Sequence, residues 1–284
     1  VPRCRNRELR RQAATEGEEA LSLWSGKWSS HISPRLDATA AASSPQFIEI
    51  ENRLQALDEC VERKRKASRS GQSPCYRCHS IAGTPNIVQI HSWLIRHLPR
   101  CQVICETGFN RGDSALIMTT ACGPGAVGLS FTINARWYTT PGMECLGEGV
   151  VDKNRTITYV EGFTTTSVND FIKRNADKNL KCDVIHVDGG KSEEIRMQDL
   201  QDLRAWAHKN TLWISDDIEL TCANESCNPL NTKKSKYCIY GVMRKFLDEI
   251  GLEMRCAETP RGKRGQCYGS AIWDTLLRRM SLRQ

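Results

Sequence analysis

From residue 84 onward the chain alternates short apolar runs with longer amphipathic stretches, and that alternation limits the fold more than any other feature of the sequence. "QVICETGF" reads as a buried strand, and "AVGLSFTI", "TITYVEGF", "CDVIHVDG" and "TLWISDD" read as further strands. Between them, "DSALIMTTAC", "TTTSVNDFIKRNADKN", "SEEIRMQDLQDLRAWAHKN" and "YGVMRKFLDEIG" read as helices. Val168, Phe171 and Ile172 mark the inward face of one helix, and Met197, Leu200, Leu203 and Trp206 that of the next. Val242, Met243, Phe246, Leu247 and Ile250 do the same for the last. A further helix should start at Thr84-Pro85, present Ile87, Ile90, Leu94 and Leu98, and stop at Pro99. Strand–helix units force right-handed crossovers, hence a mainly parallel sheet with helices on both faces. Two closing strand candidates, "LEMRCAET" and "QCYGSAIWD", are separated only by a basic turn. So short a connection makes them antiparallel. The expected fold class is α/β: a Rossmann-like open sheet, mainly parallel, with an antiparallel last strand.

Upstream the signals weaken. Residues 1–46 are rich in Ala, Ser and Arg and read as an arm. Ile50, Leu54, Leu57 and Val61 then follow 4-3-4 spacing, which places them on one helical face. "KASRSGQSP" breaks the chain. The expected division is 1–70 as a basic arm and helix, and 71–284 as the α/β domain. The arm is the natural place for a protein partner or a second copy of the chain. The net charge of +7 is concentrated in terminal and loop runs. Those runs lack interleaved aromatics and any nucleic-acid-binding module, so solvated tails are the preferred reading. No run of 18 apolar residues exists, and no membrane span is expected.

The chain holds 14 cysteines. Cys101, Cys105, Cys122 and Cys182 lie in or beside apolar runs and read as small core residues. Cys222, Cys227, Cys238, Cys256 and Cys267 crowd the last quarter, where disulfides are conceivable. Asn154 and Asn224 fit the glycosylation pattern, and the first residue is Val1 rather than methionine. These features leave an organellar or secretory compartment open.

In an open parallel sheet, ligands bind beyond the carboxyl ends of the strands. "ETGFNRG" occupies that place after the first strand. Gly108 and Gly112 allow a sharp bend and a close approach to a ligand. Glu106 ends the strand, and Asp113 or Ser114 is placed to cap the following helix. The turn lacks the Lys-Ser/Thr of a phosphate loop and the G-x-G-x-x-G of a dinucleotide fold. Its Arg-Gly-Asp is also a cell-attachment tripeptide, but one folded into a strand-to-helix turn reads as a chance match.

"ICETGFNRGDSAL" resembles the first motif, E/D-x-G-x-x-x-G, of class I S-adenosylmethionine-dependent methyltransferases, over about residues 84–275. The resemblance implies that the turn passes the methionine part of S-adenosyl-L-methionine. It thereby implies cofactor-binding roles for Glu106, Thr107, Gly108, Gly112, Asp113 and Ser114. That family usually has an acid at the end of the second strand, for the ribose hydroxyls. This chain has "LSFTINAR", which leaves Thr132 and Asn134 for the position.

The fourth and fifth strands end in "HVDGGKS" and "WISDDIE". Asp188, Asp216 and Asp217 should therefore converge beside the glycine turn. Gathered carboxylates need a positive charge between them, and oxygen ligands suit Mg²⁺ or Ca²⁺. Lys191 follows Asp188 by three residues and is a candidate base. The arrangement resembles catechol-type O-methyltransferases, which carry Asp-x-x-Lys after the fourth strand and Asp-Asn after the fifth. Asp217 stands where Asn is usual there, and Lys191 replaces the His of a broader Asp-Gly-Gly-His branch. The resemblance implies a metal set of Asp188, Asp216 and Asp217, cofactor contact by Asp188, and a small-molecule hydroxyl as acceptor. The alternative is a catalytically silent scaffold subunit, which the missing ribose acid and the basic arm favour.

"CYRCH" matches a haem attachment pattern at Cys75, Cys78 and His79, but a disulfide or free thiols is the simpler reading. His186 alternates with Val187 inside a strand and reads as a core histidine. Trp137 and Tyr138 follow the second strand, where they are placed either to pack on an adenine or, as is commoner for such aromatics, to be partly buried.

Overall fold

The computed structural model describes residues 45–67, 85–132, 138–147, 155–175, 178–218, 239–258 and 265–273. In chain order the elements are α1 (Pro45–Ala67), α2 (Pro85–Arg96), β1 (Val103–Thr107), α3 (Asp113–Cys122), β2 (Val127–Thr132), α4 (Thr139–Cys145) and β3 (Thr156–Glu161). Then follow α5 (Thr164–Arg174), β4 (Cys182–Val187), α6 (Glu193–Arg204), β5 (Ala207–Ile218), α7 (Ile239–Glu249), β6 (Met254–Glu258) and β7 (Gly265–Gly269). The strands form one sheet in the order β3-β2-β1-β4-β5-β7-β6. β1 to β5 pair in parallel. β7 runs antiparallel between β5 and β6.

Alternation along each strand divides the interior in two. Ile104, Val184, Leu212 and Ile214 face one core with residues of α1, α2, α3 and α4. Cys105, Ile185, Val187 and Trp213 face the other, with residues of α5, α6 and α7. Because both faces are covered, β4 is buried at every position, polar Asp183 and His186 included. All four spaced residues of α1 are buried, and the helix packs against α3 and α4 as part of the first core.

Two expectations are corrected, and one helix appears for which no expectation was stated. The helix read through "WAHKN" ends at Arg204; Trp206 lies in the turn that follows, and "AHKN" opens β5 instead. Polar contacts account for this: the Thr211 hydroxyl donates to the Cys182 carbonyl at 2.7 Å, and His208 Nε2 lies 3.1 Å from Asp183 Oδ1. They hold an irregular strand start where local periodicity favours a helix. α4 lies in sequence that carries no readable helical pattern. Finally, Cys101, Cys105, Cys122 and Cys182 are disulfide-bonded rather than free: Cys101 pairs with Cys122, and Cys105 with Cys182. Cys60–Cys145 and Cys256–Cys267 complete the pairs among the described residues. An apolar setting suits a thiol and a disulfide equally, so only tertiary proximity distinguishes them. Asn134, Trp137, the Cys75–His79 motif and the asparagines of both sequons lie outside the described residues, as does the side chain of Asp217.

Candidate functional site

The ends of β1 and β4 are drawn together at the carboxyl rim of the sheet. Asp188 N donates to the Thr107 carbonyl at 2.9 Å, and Gly108 N donates to the Phe131 carbonyl at 2.8 Å. Gly108 has φ 94°, and a Cβ there would stand 2.3 Å from the Asp188 carbonyl oxygen. Any side chain at 108 would wedge the two strand ends apart, so glycine is demanded both by conformation and by space. Gly112 has φ 93°, and its added Cβ would meet Leu146 Cδ1 at 2.5 Å.

Gly112 is itself the N-cap of α3, with no side-chain cap. The expectation that Asp113 or Ser114 caps the helix is thus corrected, because both side chains are otherwise engaged. Asp113 is gripped by Arg111, whose Nε donates to Asp113 Oδ2 at 2.9 Å and whose Nη1 donates to Asp58 of α1. Arg111 and Asp113 are both buried, so the tripeptide presents no exposed tip. Ser114 donates instead to Glu106.

Glu106 is wholly buried and points into the first core. Besides Ser114 it accepts from the Ser130 hydroxyl at 2.8 Å, and His186 Nδ1 lies 3.0 Å from its Oε1. These residues form one rung across the sheet, Ser130 opposite Glu106 and Glu106 opposite His186. The next strands continue it with Ile214 and Tyr268. His91 of α2 packs edge-on against both His186, at 5.9 Å between centroids, and Tyr268, at 5.6 Å. Burial, the largest influence, disfavours protonated His186. The hydrogen bond and charge of Glu106, joined by the charges of Asp188 and Asp216, outweigh it and raise its pKa. His91 lacks such support, and burial, with His186 as a neighbour, pushes it down to about 3.

At the rim itself, Lys191 Nζ donates to Asp188 Oδ1 at 2.7 Å, and Asn110 Nδ2 lies 3.5 Å from Asp188 Oδ2. The lysine side chain is 49% exposed and the aspartate 13%. β4 and β5 are in register up to Val187 and Ser215, so Asp188 and Asp216 leave adjacent strands side by side. Thr132 closes β2, and its carbonyl accepts from Gly162 N at 2.9 Å. Beneath the Asp188-Gly189-Gly190 turn lies buried Asp199 of α6, whose Oδ2 would be 2.5 Å from a Cβ on Gly189. Burial raises the pKa of Asp199, against the hydroxyls of Thr164 and Thr107 and the charge of Arg196. Among the described residues no three His, Cys, Asp or Glu side chains are grouped to hold a metal ion.

The structure thus brings the glycine turn, Asp188, Lys191 and Asp216 to one rim, while Glu106 and Ser114 turn inward. Three participants were missed: Asp58, His91 and Asp199. Each had a signal. Asp58 follows Leu54 by four, His91 follows Ile87 by four, and Asp199 precedes Leu203 by four, so all three sit on inward helical faces where a polar residue needs a partner.

No family model and no curated protein matches the chain. Solved structures are similar to it. One is a Klebsiella pneumoniae protein assigned as an O-methyltransferase: 18% identity, TM-score 0.52, covering 76% of this chain and 89% of that one. A second is a Bacillus cereus O-methyltransferase in complex with SAH: 13% identity, TM-score 0.53, covering 76% and 90%. A third is a cofactor-bound protein from MTB: 13% identity, TM-score 0.52, covering 84% and 96%. These likenesses establish the fold, the Rossmann-like sheet of class I methyltransferases.

Proposed function

We propose that this chain is an S-adenosyl-L-methionine-dependent methyltransferase acting on a hydroxyl of a small molecule. The observation that carries the proposal is Gly108, whose bare Cα is pressed against the Asp188 carbonyl at the carboxyl rim of the sheet. That close approach sets the glycine turn beside the Asp188 turn at the place where open parallel sheets bind ligands. The cofactor supplies an electrophilic methyl group. The turn from Thr107 to Gly112 would hold its amino-acid end through backbone groups. Glu106, Ser114 and Ser130 hold the turn from below, and the cofactor-binding roles expected of Glu106 and Ser114 would be exerted through it. Asp188 stations Lys191 at the rim, where the amine, once neutral, takes the proton of the attacking hydroxyl. Alignment of acceptor and methyl group supplies most of the remaining rate. Thr132, with Asn134 beyond it, would meet the ribose hydroxyls.

Assistance by Mg²⁺ or Ca²⁺ is a separate part of the proposal. Asp188 and Asp216 leave neighbouring strands and Asp217 follows them, but Lys191 already holds Asp188 Oδ1. The described side chains do not complete a donor set.

Calorimetric titration of the full chain with S-adenosylmethionine and SAH, with and without Mg²⁺, tests the reading. We expect micromolar binding, and a gain with Mg²⁺ would establish the cation. No heat under any condition would leave the scaffold reading. The absence of an acid at the end of β2, together with the exposed, ion-paired Lys191, favours that second reading. Four disulfides support a place in an oxidising compartment, which mapping of free thiols in the native protein would test.

A further inference from the structure

The glycine turn is gripped from behind by two elements that do not belong to the sheet. Asp58, on α1, accepts from Arg111 Nη1, while Asp113 takes the other side of the same guanidinium. Arg111 and Asp113 are almost fully buried, and Asp58 nearly so. α4 meets the same two residues of the turn. Gly142 lies so close that a Cβ on it would be 2.3 Å from the Arg111 carbonyl oxygen, and Leu146 closes on Gly112. Cys60, two residues beyond Asp58, is disulfide-bonded to Cys145, three residues beyond Gly142 and adjacent to Leu146. One covalent link thus fixes both halves of the grip, and the grip falls on Arg111-Gly112.

We propose that Asp58 is a positioning residue for the ligand-binding turn, acting through Arg111, so that the N-terminal helix sets the shape and affinity of the site. The link to affinity rests on the methyltransferase reading; the link to the turn's shape does not. The physical basis is charge balance. A guanidinium this deeply buried needs its carboxylates, and losing the charge of Asp58 would drive it to seek water by moving the backbone that carries it. That backbone is the turn. A hydrophobic contact of α1 stabilises the fold generally, whereas the Asp58–Arg111 contact acts on one loop.

The test compares Asp58→Asn, which keeps shape but removes charge, with Val61→Ala on the same buried helical face, which removes apolar bulk and leaves every charge in place. Hydrogen exchange is followed by mass spectrometry in the full oxidised chain. We expect Asp58→Asn to speed exchange in peptides spanning residues 106–116 by about tenfold more than Val61→Ala does, with peptides of β4 and β7 changing alike in both. SAH affinity should fall about tenfold in Asp58→Asn and stay within about twofold in Val61→Ala. Equal exchange of the turn in the two variants, or a turn as protected in Asp58→Asn as in the unmodified chain, would overturn the proposal, whatever the affinity. If the unmodified chain bound no SAH, the methyltransferase reading would fail while the exchange comparison still decided the role of Asp58. Should Asp58→Asn not fold, Asp58→Glu serves, with intermediate turn exchange expected and exchange matching Val61→Ala counting against the idea.

Discussion

Glu106 and His186 face each other across β1 and β4, with His186 Nδ1 3.0 Å from Glu106 Oε1 and neither residue reaching solvent. The glycine turn begins two residues beyond one of them and Asp188 two residues beyond the other, so this contact fixes the separation of the two halves of the site. His91, packed on the same rung, has the opposite titration behaviour.

The two histidines give stability a signed pH dependence. His91 is held neutral, so the unfolded chain binds the extra proton below pH 6.5 and stability falls as the solution is acidified toward pH 3. That loss is about 2 kcal/mol between pH 6.5 and 5. His186 has a raised pKa, so its contribution is complete below pH 6.5 and fades as pH rises through its folded value. His91→Leu should therefore flatten the acid side of a urea-denaturation pH profile by about 2 kcal/mol over that interval. An unchanged acid slope would show that His91 is not the group responsible.

Gly108→Ala tests the crossing of β1 and β4. The substitution forces a Cβ against the Asp188 carbonyl at a positive φ. SAH affinity should drop by more than about a hundredfold, with a stability loss of about 1–3 kcal/mol. Calorimetry and thermal unfolding measure the two. Undiminished binding would mean that the ligand does not use this turn.

Lys191 separates positioning from proton transfer. Lys191→Arg preserves a cation for Asp188 but offers no base at accessible pH. Both Lys191→Arg and Lys191→Met should lower kcat for methyl transfer by about 10² to 10⁴ while leaving SAH affinity within about threefold. Full activity in Lys191→Arg would reduce the lysine to an electrostatic partner.

The Cys60–Cys145 bond closes a loop of 85 residues between α1 and α4. The Cys60→Ala/Cys145→Ala chain should lose about 2–5 kcal/mol in urea denaturation. A midpoint unmoved by the double substitution would show that the two helices hold together by packing alone.

Much of this fold was legible in the residues because the signals are local. The spacing of Leu54, Leu57 and Val61 predicts the buried side of α1, and the alternation around "CDVIHVDG" predicts β4 at its observed position. The short turn after β6 requires the antiparallel pairing that β7 makes. "AHKN" shows where such reasoning stops. Its periodicity is helical, yet hydrogen bonds to Cys182 and Asp183, distant in sequence, make it strand. At the site, the glycine turn and Asp188 could be placed at one rim from strand order alone. The inward course of Glu106 could not, since the same strand end suits a carboxylate facing ligand or core.

The sequence by itself determined the order of strands and helices, the hand of their crossovers and the rim at which loops gather, because period and chain connectivity are properties of neighbouring residues. Tertiary structure alone decided which polar groups met: Asp58 with Arg111, Glu106 with His186, Cys60 with Cys145. Those pairings depend on the register between strands and the seating of helices on the sheet. Register and seating are set by the packing of the whole core, not by any stretch of it.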